Sequence, residues 1–302
     1  MDYNTFISNI EGFLRDQYPD ADIRISKITK NNGVVLDGIS VNENNTNISE
    51  TIYLNKYYEM FTKGLYTLDE IKQSVLRLHQ KALIPENVDF SYFNNFSKVK
   101  DKLAFKLINL MMNKDLLKDV PHIIYLDFAI VFYCIVDDDL IGKGTILVRN
   151  SHLESWSVTE EELYEIALKN CPALLPSRLI GMDKYLEHLH VKRDIPFEED
   201  VPDTSPELCN MYILTNDDKY FGASVLMYDN LLSDLSDRFL SSFFILPSSI
   251  HEVILLPTNS KNNKQKFDSM VRDVNEQALS REDILSDHAY YYDRDDKALY
   301  AS

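Results

Sequence analysis

Three cysteines in 302 residues, Cys134, Cys171 and Cys209, are odd in number and far apart, so the sequence offers neither a disulfide framework nor a CxxC metal or redox pair. Glycine is scarce as well, with 8 residues, and no GxGxxG, Walker-type loop or GxSxG elbow is present. These absences remove the common signatures of phosphate cradling and serine hydrolysis. No HExxH motif occurs. Long apolar runs are missing too, since none approaches the roughly 20 residues that a bilayer span needs. The start, Met1-Asp2-Tyr3-Asn4, has neither a basic n-region nor an apolar h-region. The expectation is a soluble, cytoplasmic protein whose thiols are buried and reduced.

What is present is the composition of a folded chain: 45% hydrophobic and 26% charged residues, with a formal net charge of −17. The charge is segregated. Residues 1–115 carry 15 acidic and 14 basic side chains, whereas residues 116–302 carry 33 acidic and 17 basic ones. A surface of that sign repels phosphate backbones, so direct nucleic-acid binding is not expected and a basic protein partner is.

Periodicity divides the chain into alternating elements. Phe6, Ile7, Ile10, Phe13 and Leu14 recur at helical spacing between Tyr3 and Gln17, and Tyr18-Pro19 stops that helix. Strand-like alternations over 22–28 and 34–41 flank Lys30-Asn31-Asn32-Gly33, where the Asn-Gly pair tolerates the positive φ of a hairpin turn. Two helices follow, the second opened by the capping box Thr67-Leu68-Asp69-Glu70. Residues 98–117 read as a further helix. The apolar run 123–136 reads as a central strand, hairpinned to 144–148 across Asp137-Asp138-Asp139, a turn sequence rather than a cation site. A helix begins at Thr159, with Glu162 completing its box.

Residues 194–207, with six acidic residues and three prolines, read as an exposed linker. Hairpins are expected at 211–215 with 222–227, at 243–247 with 252–256 and at 289–292 with 298–301, with helices over 229–240 and 265–279. Short links between strands cannot make parallel crossovers. The fold class is therefore α+β, with mainly antiparallel sheets built from hairpin-then-helix units and helices packed on one face. The expected domains are 1–118, a central hairpin-helix unit 119–193, the linker and a C-terminal unit 208–302, or one domain over 119–302.

Candidate chemistry is sparse. In Leu246-Pro247-Ser248-Ser249-Ile250-His251-Glu252, an extended backbone puts Ser249 and His251 on one face, so Ser248, Ser249 and His251 are the candidate catalytic residues of a hydrolase. A polar turn between buried strands explains the same residues. Asn150, His152 and Trp156 stand between a strand end and a helix, where binding residues often lie, and His122 stands at a strand entry. His188 and His190 are two apart, which on a helix points them in different directions and is not metal-ligand spacing. No cofactor and no metal site are expected. The reading that follows is a non-enzymatic protein-binding or regulatory module with an acidic C-terminal part. Its alternatives are a hydrolase near 248–251 and an acidic nucleic-acid mimic.

Several phrases carry a resemblance: Lys30-Asn31-Asn32-Gly33-Val34, Ile52-Tyr53-Leu54-Asn55-Lys56-Tyr57-Tyr58, Val120-Pro121-His122, Asn150-Ser151-His152-Leu153-Glu154, Leu174-Leu175-Pro176, the stretch from Leu246 to Pro257, and Leu285-Ser286-Asp287-His288-Ala289-Tyr290-Tyr291-Tyr292-Asp293. Over nearly its whole length the chain resembles an uncharacterised protein family, a domain of unknown function, of anaerobic Gram-positive gut bacteria. The resemblance implies a cytosolic bacterial protein and assigns no catalytic residue.

Overall fold

Asp2 starts the first helix, α1 (Tyr3–Gln17), by accepting the Thr5 backbone N–H at 2.9 Å. The spacing of Phe6, Ile10 and Leu14 puts one apolar stripe on the core side, and all three are fully buried. Strands β1 (Asp22–Thr29) and β2 (Val35–Asn42) pair antiparallel along their whole length, from Asp22 opposite Asn42 to Thr29 opposite Val35. Their turn holds Asn32 at φ 57° and Gly33 at φ 66°, the left-handed conformations that the Asn-Gly pair predicts. Strand β3 (Thr51–Tyr53) adds to β2, and helices α2 (Asn55–Thr62) and α3 (Leu68–Lys81) follow. The Thr67–Glu70 capping box forms, with Glu70 Oε2 accepting the Thr67 N–H at 2.8 Å.

The computed structural model describes residues 1–43, 50–81, 91–138, 142–184, 211–247, 249–258 and 260–301. The expected linker 194–207, His188, His190, Cys209, Asp139 and Ser248 lie outside the described residues. Two compact units emerge: residues 1–93 with 136–144, and residues 94–135 with 145–302. The first is a three-stranded antiparallel sheet, β1-β2-β3, with the helices' apolar faces forming its core from Phe6, Ile10, Leu14, Ile39, Ile71 and Val75 among others.

The second unit corrects the sequence reading in three places. Residues 98–117 are not one helix. A short helix α4 (Phe96–Val99) precedes strand β4 (Leu103–Asn109), whose Leu103-Ala104-Phe105 and Leu107-Ile108 are buried on both faces. A continuously apolar run carries no period that separates a buried strand from a buried helix. The run 123–136 is two strands, β5 (His122–Tyr125) and β6 (Phe128–Asp138), hairpinned at Leu126-Asp127, and Asp137 and Asp138 continue β6 instead of turning. Gly222–Met227 is a buried 3-10 segment, not a strand.

Strand β6 lies between β4 and β5, and β7 (Gly142–Leu147) also pairs with it. Helices α5 (Asn150–Trp156) and α6 (Glu160–Leu174) follow. The predicted Thr159–Glu162 box opens α6, and Asn170 fixes the helix to the start of β4 through the carbonyls of Lys100 and Leu103. The second sheet has six antiparallel strands in the order β13-β12-β10-β11-β9-β8, where β8 is Ser177–Gly181, β9 Tyr212–Asn216, β10 Phe243–Leu246, β11 Val253–Pro257, β12 Tyr290–Asp293 and β13 Ala298–Ala301. Helix α7 (Leu231–Phe239) precedes β10. Helix α8 (Lys264–Gln277) packs Phe267 and Val271 against Phe244, Leu246 and Tyr291. The last hairpin forms as read, yet Tyr290–Tyr292 are paired on both sides, so β13 and not β12 is the edge. The paired strands β1 to β6 and β8 to β13 run antiparallel and the fold is α+β, as the short links required. Among the described residues no helix is long and apolar enough to cross a membrane.

Candidate functional site

The segment between β10 and β11 brings Ser249 and His251 into one polar node of the second unit. Strand β9 ends at Asn216, whose amide bonds the Tyr220 backbone twice, giving its Nδ2–H to the carbonyl at 2.9 Å and accepting the N–H at 3.2 Å. That clamp turns the chain back within five residues, at the expense of positive φ at Lys219 and Phe221. Gly222 follows with no space for a side chain: a Cβ there would lie 2.1 Å from Thr215 Oγ1 and 2.4 Å from the His251 carbonyl. The backbone N–H of Phe221 then points at His251 Nδ1, 3.2 Å away.

An N–H can only donate, so His251 Nδ1 accepts and the ring hydrogen of the neutral imidazole sits on Nε2. Nε2 faces Asp283 Oδ1 at 3.3 Å. The imidazole also stacks on the Phe221 ring, with planes 8° apart, and the Lys106 ammonium stands 4.0 Å above that ring's centroid. Ser249 turns elsewhere. Its Oγ accepts the backbone N–H groups of His251 at 3.0 Å and Glu252 at 3.3 Å, while its own N–H bonds the Glu252 carbonyl. The hydroxyl thus shapes a turn and the imidazole bridges two chain segments. Burial pushes the neighbouring Glu252 carboxyl above its ordinary range, opposed by the charge of Lys219.

Three of the binding candidates, Asn150, His152 and Trp156, meet on α5. His152 Nδ1 accepts the Arg149 N–H at 3.0 Å, and its ring stacks on Trp156, which in turn packs on Phe96. Burial, then the Arg149 charge, pulls the His152 imidazole below its ordinary value. Asn150 donates from Nδ2 to the Lys118 carbonyl at 3.1 Å and from its backbone to the Asp119 carbonyl at 3.0 Å, and the Arg149 guanidinium pairs with Asp119. His122 Nδ1 donates to the Val120 carbonyl at 3.0 Å. Together these contacts tie the loop before β5 to the first turn of α5. The His152 side chain performs the capping at the start of α5.

A second cluster was not among the sequence candidates. Asp127, at the β5–β6 turn, has its Oδ1 2.5 Å from the Tyr290 phenol oxygen, and its Oδ2 3.4 Å from Ser286 Oγ and 3.8 Å from His288 Nε2. Ser286 Oγ lies 2.8 Å from the Tyr290 oxygen. His288 Nδ1 lies 3.0 Å from Asp287 Oδ1 and 3.2 Å from Ser286 Oγ, so the imidazole joins the same cluster. Ser286 and Tyr290 are fully buried, and burial followed by the Asp127 contact drives the Tyr290 phenol far above its ordinary pKa. Nearby, Asp268 accepts the Ala289 N–H at 2.9 Å and the Lys264 ammonium at 2.6 Å. One signal for this cluster is in the sequence: 286, 288 and 290 alternate as one face of an extended chain. Asp127, 159 positions away from Ser286, gives none.

The Ser249–His251 node and the cap of α5 orient backbone, whereas the Ser286 hydroxyl is fully buried among Asp127, His288 and Tyr290. Burial pushes the Cys134 and Cys171 thiols up to about 12, so neither is a thiolate near neutral pH. Among the described residues no group of three or more His, Cys, Asp or Glu side chains could hold a metal ion. No curated protein and no solved structure matches the chain. Residues 3–294 match the family of unknown function DUF5688, which covers both units and every phrase of the resemblance, and the chain belongs to that family.

Proposed function

We propose that this chain is a non-enzymatic protein-binding or regulatory module of a bacterial cytoplasm, whose acidic second part receives a basic protein partner. One observation carries the reading. The serine and histidine that the sequence offers as a catalytic pair bond backbone or orienting groups: Ser249 holds two N–H groups, and His251 is engaged at both ring nitrogens. The charge supports the nature of the partner, with 33 acidic against 17 basic residues after residue 115. The Asp287 side chain, 78% exposed, keeps its carboxylate open to long-range attraction.

The test is a pull-down with the full chain from lysate of a Gram-positive anaerobe, run at low and at high salt and repeated with Asp287, Asp295 and Asp296 changed to Asn. Retention of a basic protein at low salt, its loss at high salt, and a weaker yield with the neutralised variant are expected. A chain that retains nothing at low salt disproves the proposal.

A further inference from the structure

Helix α5 is capped by an imidazole, and that cap has a chemical condition attached. His152 Nδ1 accepts the Arg149 backbone N–H at 3.0 Å, and an accepting ring nitrogen carries no hydrogen. The ring therefore caps the helix only while it is neutral. A proton added at Nδ1 would meet that N–H donor to donor, so the cap bond and the charged imidazole exclude each other. Turning the ring over would present a carbon in place of Nδ1. The ring is also packed, stacking on Trp156 with planes 26° apart, while Trp156 rests on Phe96. Burial and then the Arg149 charge disfavour protonation and outweigh Asp119, which favours it. These two charges face the ring from the residue before α5 and from the loop before β5, and the Lys118 ammonium of that loop is turned to Asp115.

The capped residues are also the ones that tie α5 to the loop before β5. Arg149 pairs with Asp119, and Asn150 bonds the Lys118 carbonyl from its side chain and the Asp119 carbonyl from its backbone. We propose that His152 is an acid-sensitive latch: when its Nδ1 takes a proton, the Arg149 N–H is released, the first turn of α5 opens and the loop before β5 comes free of it. The direction follows from the geometry. The neutral ring keeps the latch closed above the ordinary imidazole pKa of about 6.5, and the stability that the cap contributes is lost as pH falls from there through the lower folded value.

Trp156 is the only tryptophan of the chain, so its fluorescence reports on the ring stacked against it. Titrating the full chain from about pH 8 to about pH 5 is expected to change that emission in one step, with a midpoint below about 6.5. Across the same step the protection of the Arg149 amide against hydrogen exchange, corrected for the intrinsic rate, is expected to fall about fivefold, the effect of losing one cap. His152→Gln keeps an acceptor at the third helical position and does not titrate, so it should match the parent's protection at the upper pH and show no step. His152→Leu has no acceptor and should be open throughout. No step in the parent, undiminished Arg149 protection while the Trp156 emission titrates, an equal step in His152→Gln, or full protection in His152→Leu at the upper pH overturns the proposal.

Discussion

In the first unit ten buried apolar side chains form one cluster, and among its described residues the buried polar side chain is Asn32, at a turn. In the second unit Asn113, Thr215, Asn216, Ser224, Ser236, Ser242, Ser249, Asp268 and Ser286 are all buried. The difference is in what each unit asks of its sequence. An apolar core is non-directional and accepts shape-conserving replacements for less than about 1.5 kcal/mol. A buried polar network is directional, and removing one member orphans the others at about 1–3 kcal/mol each. The second unit therefore has the more exacting sequence, and it achieves its tight turns with few glycines by placing Leu126, Lys219, Phe221 and Leu240 at positive φ.

Two glycines, Gly222 and Gly12, give the largest test of this contrast. Gly222→Ala drives a Cβ into Thr215 Oγ1 and two backbone atoms, and is expected to destabilise the second unit by about 3 kcal/mol or more. Gly12→Ala meets nothing and is expected to stabilise the first by about 0.5–1 kcal/mol. Urea unfolding of both variants reads the signs; equal signs would erase the distinction between the units. Next in size is Tyr290→Phe, which strips Asp127 and Ser286 of their 2.5 and 2.8 Å partner and is expected to cost about 1–3 kcal/mol, seen as faster amide exchange around residues 285–290. A neutral outcome would mean that this cluster is ornamental.

The smallest effect is a pH dependence. Burial tends to raise the Asp268 carboxyl, but the bonds from Lys264 and the Ala289 N–H outweigh it and hold the group below its ordinary value. A depressed carboxylate contributes stability that is present above its unfolded pKa of about 3.9 and is lost as pH falls through the lower folded value. Urea midpoints measured downward from pH 5 should therefore fall less steeply in Asp268→Asn than in the parent, and superimposable curves would remove Asp268 from the network.

Where a local rule dictates structure, the sequence was enough. The α1 stripe, the Asn32-Gly33 hairpin, both Thr–Glu capping boxes and the final hairpin were legible because each rests on residues within a few positions of one another. The misread elements share the opposite property. Leu103–Asn109 is buried on both faces and so shows no period, and Gly222–Met227 looks like a strand until Asn216 and His251 fix the turn before it. The candidate site follows the same division. Ser249 and His251 were visible as a pair on one strand face, but which atoms they serve depends on Phe221 and Asp283, about 30 residues away on either side.

By itself, then, the sequence determined the fold class, the segregation of charge and the absence of nucleotide and disulfide signatures, because composition, short-range periodicity and turn chemistry are written in neighbouring residues. Only the tertiary structure decided that Asp127 meets Ser286 and Tyr290, that the imidazole of His251 is engaged at both nitrogens, and that Asn150 reaches the carbonyl of Lys118. Hydrogen bonds act over about 3 Å, and residues far apart in sequence come within that range only once the chain has packed.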